Sequence, residues 1–384
     1  MHPQITTKLK ISLLILSAMG MMSGIAIVAS LPLISHHFSD VKNIDFLSKL
    51  LLTVPSIMVA LFAPFFGHLA DKIGRLKPLY FGIFLFILSG SSGLYLEDFY
   101  HVLIGRAFLG ISVALVMTSS MALIGDYFDE EARHKFISLQ GMVVGLSGII
   151  FIISGGYLAH LGWRYPFLIY ALPLLLLPLL FSSLKEPVAI VRKEEEDDNG
   201  FKKLLPVYLT GFFSMVLFYM LPTQIPYLVI NELGGTPSSV SYFIAFSMLV
   251  NAITAKQYHH IKKRFGFTQL FVIIYLFFGT GLFIISQVQS VSGLFGASVF
   301  IGVGFGLLLV NVNMWLLSLV AAHKGGRAVG LLTSAFYLGQ FISPILFEPI
   351  VQYAGIRGLF FIVSLFVFLV AFVIFTKGLL KSRA

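Results

Sequence analysis

The sequence predicts an all-α membrane protein with twelve transmembrane helices in two six-helix pseudo-repeats. Composition is the first reason: of 384 residues, 58% are hydrophobic and 11% are charged, whereas soluble domains are roughly 45–50% apolar and about 25% charged. The second reason is that the apolar residues come in runs of about 20, the length that a helix needs to cross a bilayer. These runs do not alternate with period two, which excludes an outer-membrane barrel.

The apolar runs predict the position of each span. The first run follows Lys8 and Lys10 as a signal peptide would, but it is longer than the apolar part of a signal peptide, and we interpret it as the first span. The twelve spans are expected at 11–34, 46–69, 79–96, 99–125, 136–159, 165–183, 204–230, 239–260, 268–287, 292–321, 328–351 and 356–376.

Basic residues predict the orientation, because cytoplasmic loops retain Lys and Arg. With both termini in the cytoplasm, 21 of the 26 Lys and Arg residues fall inside, and Arg106 is the only one within a span. The outer ones are Lys42, Lys49, Arg164 and Arg357. This distribution explains the net charge of +9 without a nucleic-acid partner, and it predicts a multi-pass protein of the cytoplasmic (inner) membrane.

The longest polar stretch divides the chain into equal halves. We expect an N-terminal six-helix bundle at 1–184, a cytoplasmic linker at 185–203 with an acidic run at 194–198, and a C-terminal six-helix bundle at 204–384. Short stretches recur between the halves at offsets of 192 to 194, as 71–74 with 263–266, 132–133 with 326–327, and 161–164 with 354–357. The largest offset places Phe300 opposite Arg106. Such a duplication is typical of secondary transporters, whose substrate site lies near the bilayer midplane.

The most specific motif is Gly67-His68-Leu69-Ala70-Asp71-Lys72-Ile73-Gly74-Arg75-Leu76-Lys77-Pro78, between the second and third spans. It resembles the signature of the major facilitator superfamily, Gly-x-x-x-Asp-(Arg/Lys)-x-Gly-Arg, and the resemblance implies the major facilitator fold. In physical terms the motif suits a gate, because Gly67 would let two helices approach and Gly74 would permit a tight turn.

Asp71 would then meet the positive N-terminus of a helix, which the resemblance implies is the one opening near Gly326. Asp126 has two interpretations of equal weight, a gating residue near Arg133 in the same gate and a proton carrier. The alternative is a solvated loop that only sets the topology. The predicted gating residues are Gly67, Asp71, Lys72, Gly74, Arg75, Asp126 and Arg133.

Arg106-Ala107-Phe108-Leu109-Gly110 in the fourth span is similar to the Arg-x-x-x-Gly pattern of proton-coupled facilitators. A charge within a span is costly unless it is paired or hydrated, so we expect Arg106 to take part in coupling. The alternative is snorkelling toward the outer surface near Glu97 and Asp98. No acid lies at the middle of a span, and Glu348 is the preferred titrating group.

The fifth span is glycine-rich, like that of the twelve-span drug:proton antiporters that the chain resembles, although Phe151-Ile152 replace the Gly-Pro pair expected there. Amides, hydroxyls and aromatic rings near span centres suit an uncharged or amphipathic substrate. The candidate substrate-binding residues are Met22, Ser119, Gln140, Tyr219, Gln224, Asn251, Asn311, Asn313, Tyr337 and Gln340.

These features predict a secondary active transporter that moves a small organic molecule by alternating access, with proton-coupled efflux as the leading hypothesis. An importer or uniporter of a metabolite or siderophore is the alternative, and a membrane-embedded sensor or enzyme is a third. Cysteine and the phosphate-binding pattern Gly-x-x-x-x-Gly-Lys-(Ser/Thr) are absent from the sequence, and we expect no metal, no cofactor and no catalytic residue. The expected partners are the substrate, protons and the lipid bilayer, with the chain as a monomer.

Overall fold

The computed structural model describes residues 5–187, 201–320 and 325–383. Most of the predicted linker, including its acidic run, lies outside these residues, as does the side chain of Asp71. Thirteen α-helices follow one another in the described residues: α1 Thr7–Ile25, α2 Leu31–His37, α3 Ile44–Ile73, α4 Leu76–Gly90, α5 Ser92–Tyr95, α6 Phe99–Tyr127, α7 Glu130–Leu161, α8 Leu172–Ser183, α9 Phe201–Tyr227, α10 Pro237–Lys262, α11 Phe267–Gln287, α12 Leu294–Leu319 and α13 Gly325–Arg383.

Short polar side chains begin several of these helices by capping their first free amides. The Asp98 carboxylate accepts a hydrogen bond from the amide of His101 at 3.0 Å, and Asp129 does the same for Ala132 at 2.9 Å. Each cap satisfies an amide that has no partner within its own helix. These caps fix where α6 and α7 start.

The described residues contain eleven helical segments long and apolar enough to cross a membrane. The last, Ala328–Lys377, has 50 residues, so at about 1.5 Å per residue it would be more than twice as long as one crossing requires. It breaks at Gly355, whose φ of 73° and ψ of 174° are not helical. The segment therefore crosses twice, and the prediction of twelve transmembrane helices is confirmed.

The chain divides into two compact units, Met1–Asp198 (unit 1) and Asn199–Ala384 (unit 2). Within unit 1, α3 and α4 both pack on α6, and α1 packs on α7. Within unit 2, α10 and α11 both pack on α12, and α9 packs on α13. The order of these pairings along the chain is the same in both units, which confirms the predicted pseudo-repeat.

One helix contact recurs in both units at a constant offset. A Cβ added at Gly110 of α6 would overlap the carbonyl oxygen of Pro55 in α3, and one added at Gly302 of α12 would lie 2.7 Å from the carbonyl oxygen of Ser247 in α10. Gly302 lies 192 residues after Gly110, and Ser247 lies 192 residues after Pro55. This offset places Ser298, not Phe300, opposite Arg106, so the sequence-based pairing of those two residues was wrong.

Large apolar side chains cover the outside of both units. Among them Leu175, Phe84 and Phe372 are each more than half exposed. An apolar exterior of this extent would aggregate in water, whereas it is the expected surface of a protein in lipid. The apolar surfaces of the two units and the lengths of their helices both indicate a multi-pass membrane protein.

Candidate functional site

Two predicted gating residues meet at one end of unit 1. Arg75 precedes α4 and Asp126 lies in the last turn of α6, and the Arg75 Nε atom is 3.1 Å from Asp126 Oδ2. Their side chains are 12% and 7% exposed, so water screens this ion pair poorly. The structure thus joins Asp126 to Arg75 and not to Arg133, which lies half-buried in the first turn of α7.

A third charged residue, Glu186, completes this end of unit 1. Its carboxylate accepts hydrogen bonds from the backbone amides of Arg75 at 2.5 Å and Leu76 at 2.9 Å. Anionic groups are stabilised at such a position by the free amides and the dipole of the helix. Gly74 has a φ of 93°, and a Cβ there would lie only 2.9 Å from Glu186 Oε1. The positive φ favours glycine at 74, and a side chain there would displace the end of the Glu186 side chain.

Sequence reasoning missed Glu186 because it belongs to the stretch assigned to the linker and lies 111 residues from Arg75. Its neighbour Lys185 is also anchored, since its amide donates to the Tyr127 hydroxyl at 3.1 Å and its carbonyl accepts from the same hydroxyl. The sequence does contain one signal for this contact. Glu186 is an acid directly after the sixth span, and the motif ends where a helix begins, which is a position that favours an acid.

The other gating candidates make fewer contacts. Lys72 is exposed at the end of α3. An added Cβ at Gly67 would meet no atom of the described residues within 4 Å, so the helix approach expected at this glycine is not found there.

Arg106 lies inside unit 1 and is fully buried. Its Nε donates to the carbonyl of Leu51 in α3 at 2.7 Å, and its Nη2 donates to the carbonyl of Ser23 in α1 at 2.6 Å. The guanidinium also lies 5.1 Å from the centre of the Tyr170 ring, and the Tyr170 hydroxyl donates to the same Ser23 carbonyl at 3.1 Å. This placement excludes snorkelling.

The Nη1 atom of Arg106 is buried without a hydrogen-bond partner among the described residues. A buried donor without a partner is costly, and a charged one more so. The Nη1 group therefore keeps hydrogen-bonding capacity that the described residues do not use. Tyr170, which completes the surroundings of the guanidinium, was not among the predicted residues.

Lys49 corrects the sequence-based count of charges. It was assigned to an outer loop, but it lies in α3 and is 2% exposed. Arg106 is therefore not the only basic residue within a span. The polar neighbourhood of Lys49 includes Ser48, whose hydroxyl lies 2.7 Å from that of Ser35 in α2.

Glu348, the predicted titrating group, lies half-buried in α13. The side-chain amide of Gln352, one turn further along, donates to its Oε1 at 3.4 Å. The structure thus gives Glu348 an exposed amide neighbour on its own helix.

The substrate-binding candidates of unit 1 lie on neighbouring helices. The Gln140 amide donates to the Ser17 hydroxyl of α1 at 2.8 Å and contacts the sulfur of Met121 at 3.7 Å. Met22 and Ser119 are buried, and the Ser119 hydroxyl has no hydrogen-bond partner among the described residues.

In unit 2 the candidates separate into two kinds. Asn311 joins helices: its Oδ1 accepts from the Tyr258 hydroxyl at 2.9 Å, and its Nδ2 donates to the Phe267 carbonyl at 3.4 Å. Asn313 bonds to the carbonyl of Leu309 in its own helix. By contrast, Gln224 is fully buried and both its amide atoms lack a partner among the described residues.

The remaining candidates of unit 2 are Asn251, whose backbone contacts Gly306 of α12, and the half-buried Tyr219, Tyr337 and Gln340. Beside Tyr219, the Phe218 ring stacks on Phe305 of α12 with centroids 3.5 Å apart. The sequence does not predict this pair, because nothing near a phenylalanine in an apolar span distinguishes it from the other phenylalanines of the chain.

Comparisons with known proteins agree with this architecture. The model of the Major Facilitator Superfamily matches residues 11–254 and 207–383. Multidrug resistance protein 1 of Bacillus subtilis (strain 168) is 27% identical over 312 residues, which cover 77% of this chain and 79% of that protein. Quinolone resistance protein NorA of Staphylococcus aureus (strain Mu50 / ATCC 700699) is 23% identical over 321 residues, with coverage of 77% and 79%.

Solved structures show the same fold. The crystal structure of a bacterial homolog to the human lysosomal transporter Spinster, inward-facing and unoccupied, has a TM-score of 0.77 at 15% identity. The alignment covers 96% of this chain and 97% of that one. At this identity the likeness concerns the fold alone.

Proposed function

The chain belongs to the major facilitator superfamily, and we propose that it exports a small, amphipathic organic molecule by proton-coupled alternating access. Its family makes it a transporter of small molecules and not an enzyme. The direction of transport, the coupling ion and the substrate class are parts of the proposal. Relatives named for resistance to multiple drugs and to quinolones support export of such molecules.

The observation that carries the proposal is the buried guanidinium of Arg106. It is held by two backbone carbonyls, and its Nη1 group has no hydrogen-bond partner among the described residues, in a span where a charge is costly. A carboxylate that loses its proton can be stabilised by such a group, and one that gains a proton is released from it. We propose Arg106 as a coupling residue and Glu348 as the titrating acid.

We further propose that the Arg75–Asp126 ion pair and Glu186 act as a latch of the gate. These three residues join the beginning of α4 to the end of α6 and to the segment after α8. In this proposal, opening separates these groups and therefore costs the stabilisation that their contacts provide. Gly67, Asp71, Lys72, Gly74 and Arg133 remain predicted members of the gate, and the contact of Asp71 with the helix near Gly326 remains a prediction.

For the substrate we propose contacts with two buried polar groups that have no partner among the described residues, Ser119 and Gln224. The half-buried groups proposed to contact it are Gln140, Tyr219, Tyr337 and Gln340. Gln224 is the strongest member of this set, because a buried amide without partners is relieved when a ligand supplies them. Met22 supplies an adaptable apolar surface. We propose in addition that both termini are cytoplasmic, that the membrane is the inner membrane, and that the chain works as a monomer.

Transport by everted membrane vesicles tests direction and coupling together. With ethidium as the probe, energised everted vesicles that contain the protein should accumulate the dye, and a protonophore should release it. Accumulation should be lost in Arg106→Ala and kept in Lys135→Ala, an exposed lysine of α7. Uptake by right-side-out vesicles instead would show an importer and contradict the proposal.

A further inference from the structure

Unit 2 contains a cavity of about 440 Å³ at the end of the bundle where α10 ends and α11 begins. Four aromatic side chains, Phe267, Phe271, Tyr275 and Trp315, line it together with the hydroxyl-bearing Thr210 and Thr268. Thr268 is exposed, so the cavity reaches the surface of the bundle. Aromatic walls with a few hydroxyl groups suit a molecule with an apolar body and a polar end.

The rim of this cavity is positively charged. The Lys262 ammonium lies 4.0 Å from the centre of the Phe267 ring, which is one wall of the cavity. Lys263 and Arg264 follow and are exposed. The first turn of α11, which carries Phe267 and Thr268, adds the positive end of a helix dipole. The polar end of the occupant should therefore be anionic.

Neither of the two acidic side chains of unit 2 lies at the positively charged rim of the cavity. From residue 199 to the C-terminus the chain has twelve Lys and Arg residues but only two acids, Glu232 and Glu348. Glu232 is bound to the guanidinium of Arg357 at 2.9 Å, in the turn before the last span. Glu348 lies only seven residues before Gly355, the break that marks the far end of its span. Both acids are thus on the opposite side of the bundle from Lys262.

The repeat allows the start of α11 in unit 2 to be compared with the start of α4 in unit 1. In unit 1, the Glu186 carboxylate binds the amides of Arg75 and Leu76. The offset of 192 makes Phe267 and Thr268 their equivalents, and both line the cavity. In unit 2 the start of α11 is capped by a neutral group, because the Gln269 side-chain oxygen accepts a hydrogen bond from the Gly266 amide at 2.9 Å, and no anion of unit 2 lies there among its described residues.

We propose that this cavity binds an anionic phospholipid of the surrounding membrane. Its phosphate would lie at Lys262 and the first turn of α11, and its glycerol and upper acyl chain would contact the aromatic walls. Basic pockets between transmembrane helices are suited to such headgroups. The acidic run 194–198 is the competing anion within the chain, but it has no apolar side chain to fill an aromatic cavity. This inference does not depend on the direction of transport.

Tryptophan fluorescence tests the proposal in the full chain. The protein has two tryptophans, Trp163 in unit 1 and Trp315 at the cavity, so Trp163→Phe leaves Trp315 as the only reporter. In nanodiscs, brominated phosphatidylglycerol should quench Trp315 at about a fivefold lower mole fraction than brominated phosphatidylcholine, the preference expected from one lysine. Lys262→Gln should remove this preference and Lys262→Arg should keep it. Lys256→Gln, an exposed lysine of the same helix, is the matched control and should keep it as well.

Equal quenching by both lipids in the parent protein would overturn the proposal, and so would a preference that survives Lys262→Gln. If the preference appears only after the acids of 194–198 are replaced by amides, the linker is the occupant and the lipid is excluded. A preference of the same size in the Trp315→Phe protein, where Trp163 is the only reporter, would indicate general enrichment of the lipid and would also contradict a site at the cavity.

Discussion

At the scale of the single residue, burial distinguishes Arg106 from the other arginines. Arg164 and Arg357 also donate to backbone carbonyls, those of Leu96 at 2.8 Å and of Val288, but both are partly exposed. Arg106 is fully buried, and its equivalent in unit 2 is the uncharged Ser298. Helix packing common to both units therefore does not explain the charge.

Substitution of Arg106 should separate coupling from substrate passage. We expect Arg106→Ala to abolish gradient-driven transport while exchange of substrate across the membrane persists, because the alanine variant keeps the path but loses the charge. Arg106→Lys should keep part of the activity, since an ammonium keeps the charge but lacks the planar fork by which Nε and Nη2 reach two carbonyls. Proteoliposomes with and without a proton gradient measure both activities. Loss of substrate binding in Arg106→Ala would make the residue a substrate ligand instead.

The Arg75–Asp126 pair can be tested by exchanging its members. Asp126→Asn removes the carboxylate charge that faces the largely buried guanidinium of Arg75 and should lower the free energy of unfolding by about 1–3 kcal/mol. The double variant Arg75→Asp with Asp126→Arg should recover part of this loss, and thermal unfolding in detergent measures the coupling. Additive effects of the two single changes would show that the contact contributes nothing.

At the scale of the element, the beginning of α4 illustrates what local sequence predicts and what it does not. The motif predicts a turn at Gly74 and a helix after it, because glycine permits the positive φ. The carboxylate that stabilises the helix start comes from Glu186, which only the fold brings near. Pairing of Asp126 with Arg75 and not with Arg133, and the burial of Lys49, likewise depend on how helices pack. Span positions, in contrast, follow from apolar run length alone.

Removal of the Glu186 charge should loosen α4 locally. For an exposed carboxylate at a helix N-terminus we expect a loss of about 0.3–1 kcal/mol. In Glu186→Gln, amide hydrogen exchange in the first turns of α4 should therefore rise by up to about fivefold, while the rest of unit 1 is unaffected. Glu131→Gln, which removes an exposed ion pair on α7, is the control and should leave α4 unchanged.

At the scale of the whole molecule, the lack of cysteine makes the orientation directly testable. If both termini are cytoplasmic, a cysteine at Ser290 should react with an impermeant maleimide from outside the cell. A cysteine at His260, in the last turn of α10, should react only in inverted vesicles. Both positions are exposed, so differences in labelling would report the side of the membrane. The reverse pattern would contradict the orientation inferred from the basic residues.

The buried guanidinium of Arg106 also gives unit 1 an electrical property. Among the described residues, Arg106 and Lys49 are the charged side chains that are fully or almost fully buried, and both belong to unit 1. A charge that crosses the entire field performs about 2.3 kcal/mol of work per 100 mV. One such charge carried through a tenth of that field would perform about 0.2 kcal/mol at the same voltage. Any tilt of unit 1 during a transport cycle is consequently biased by the membrane voltage, whereas a tilt of unit 2 carries no such buried charge among its described residues.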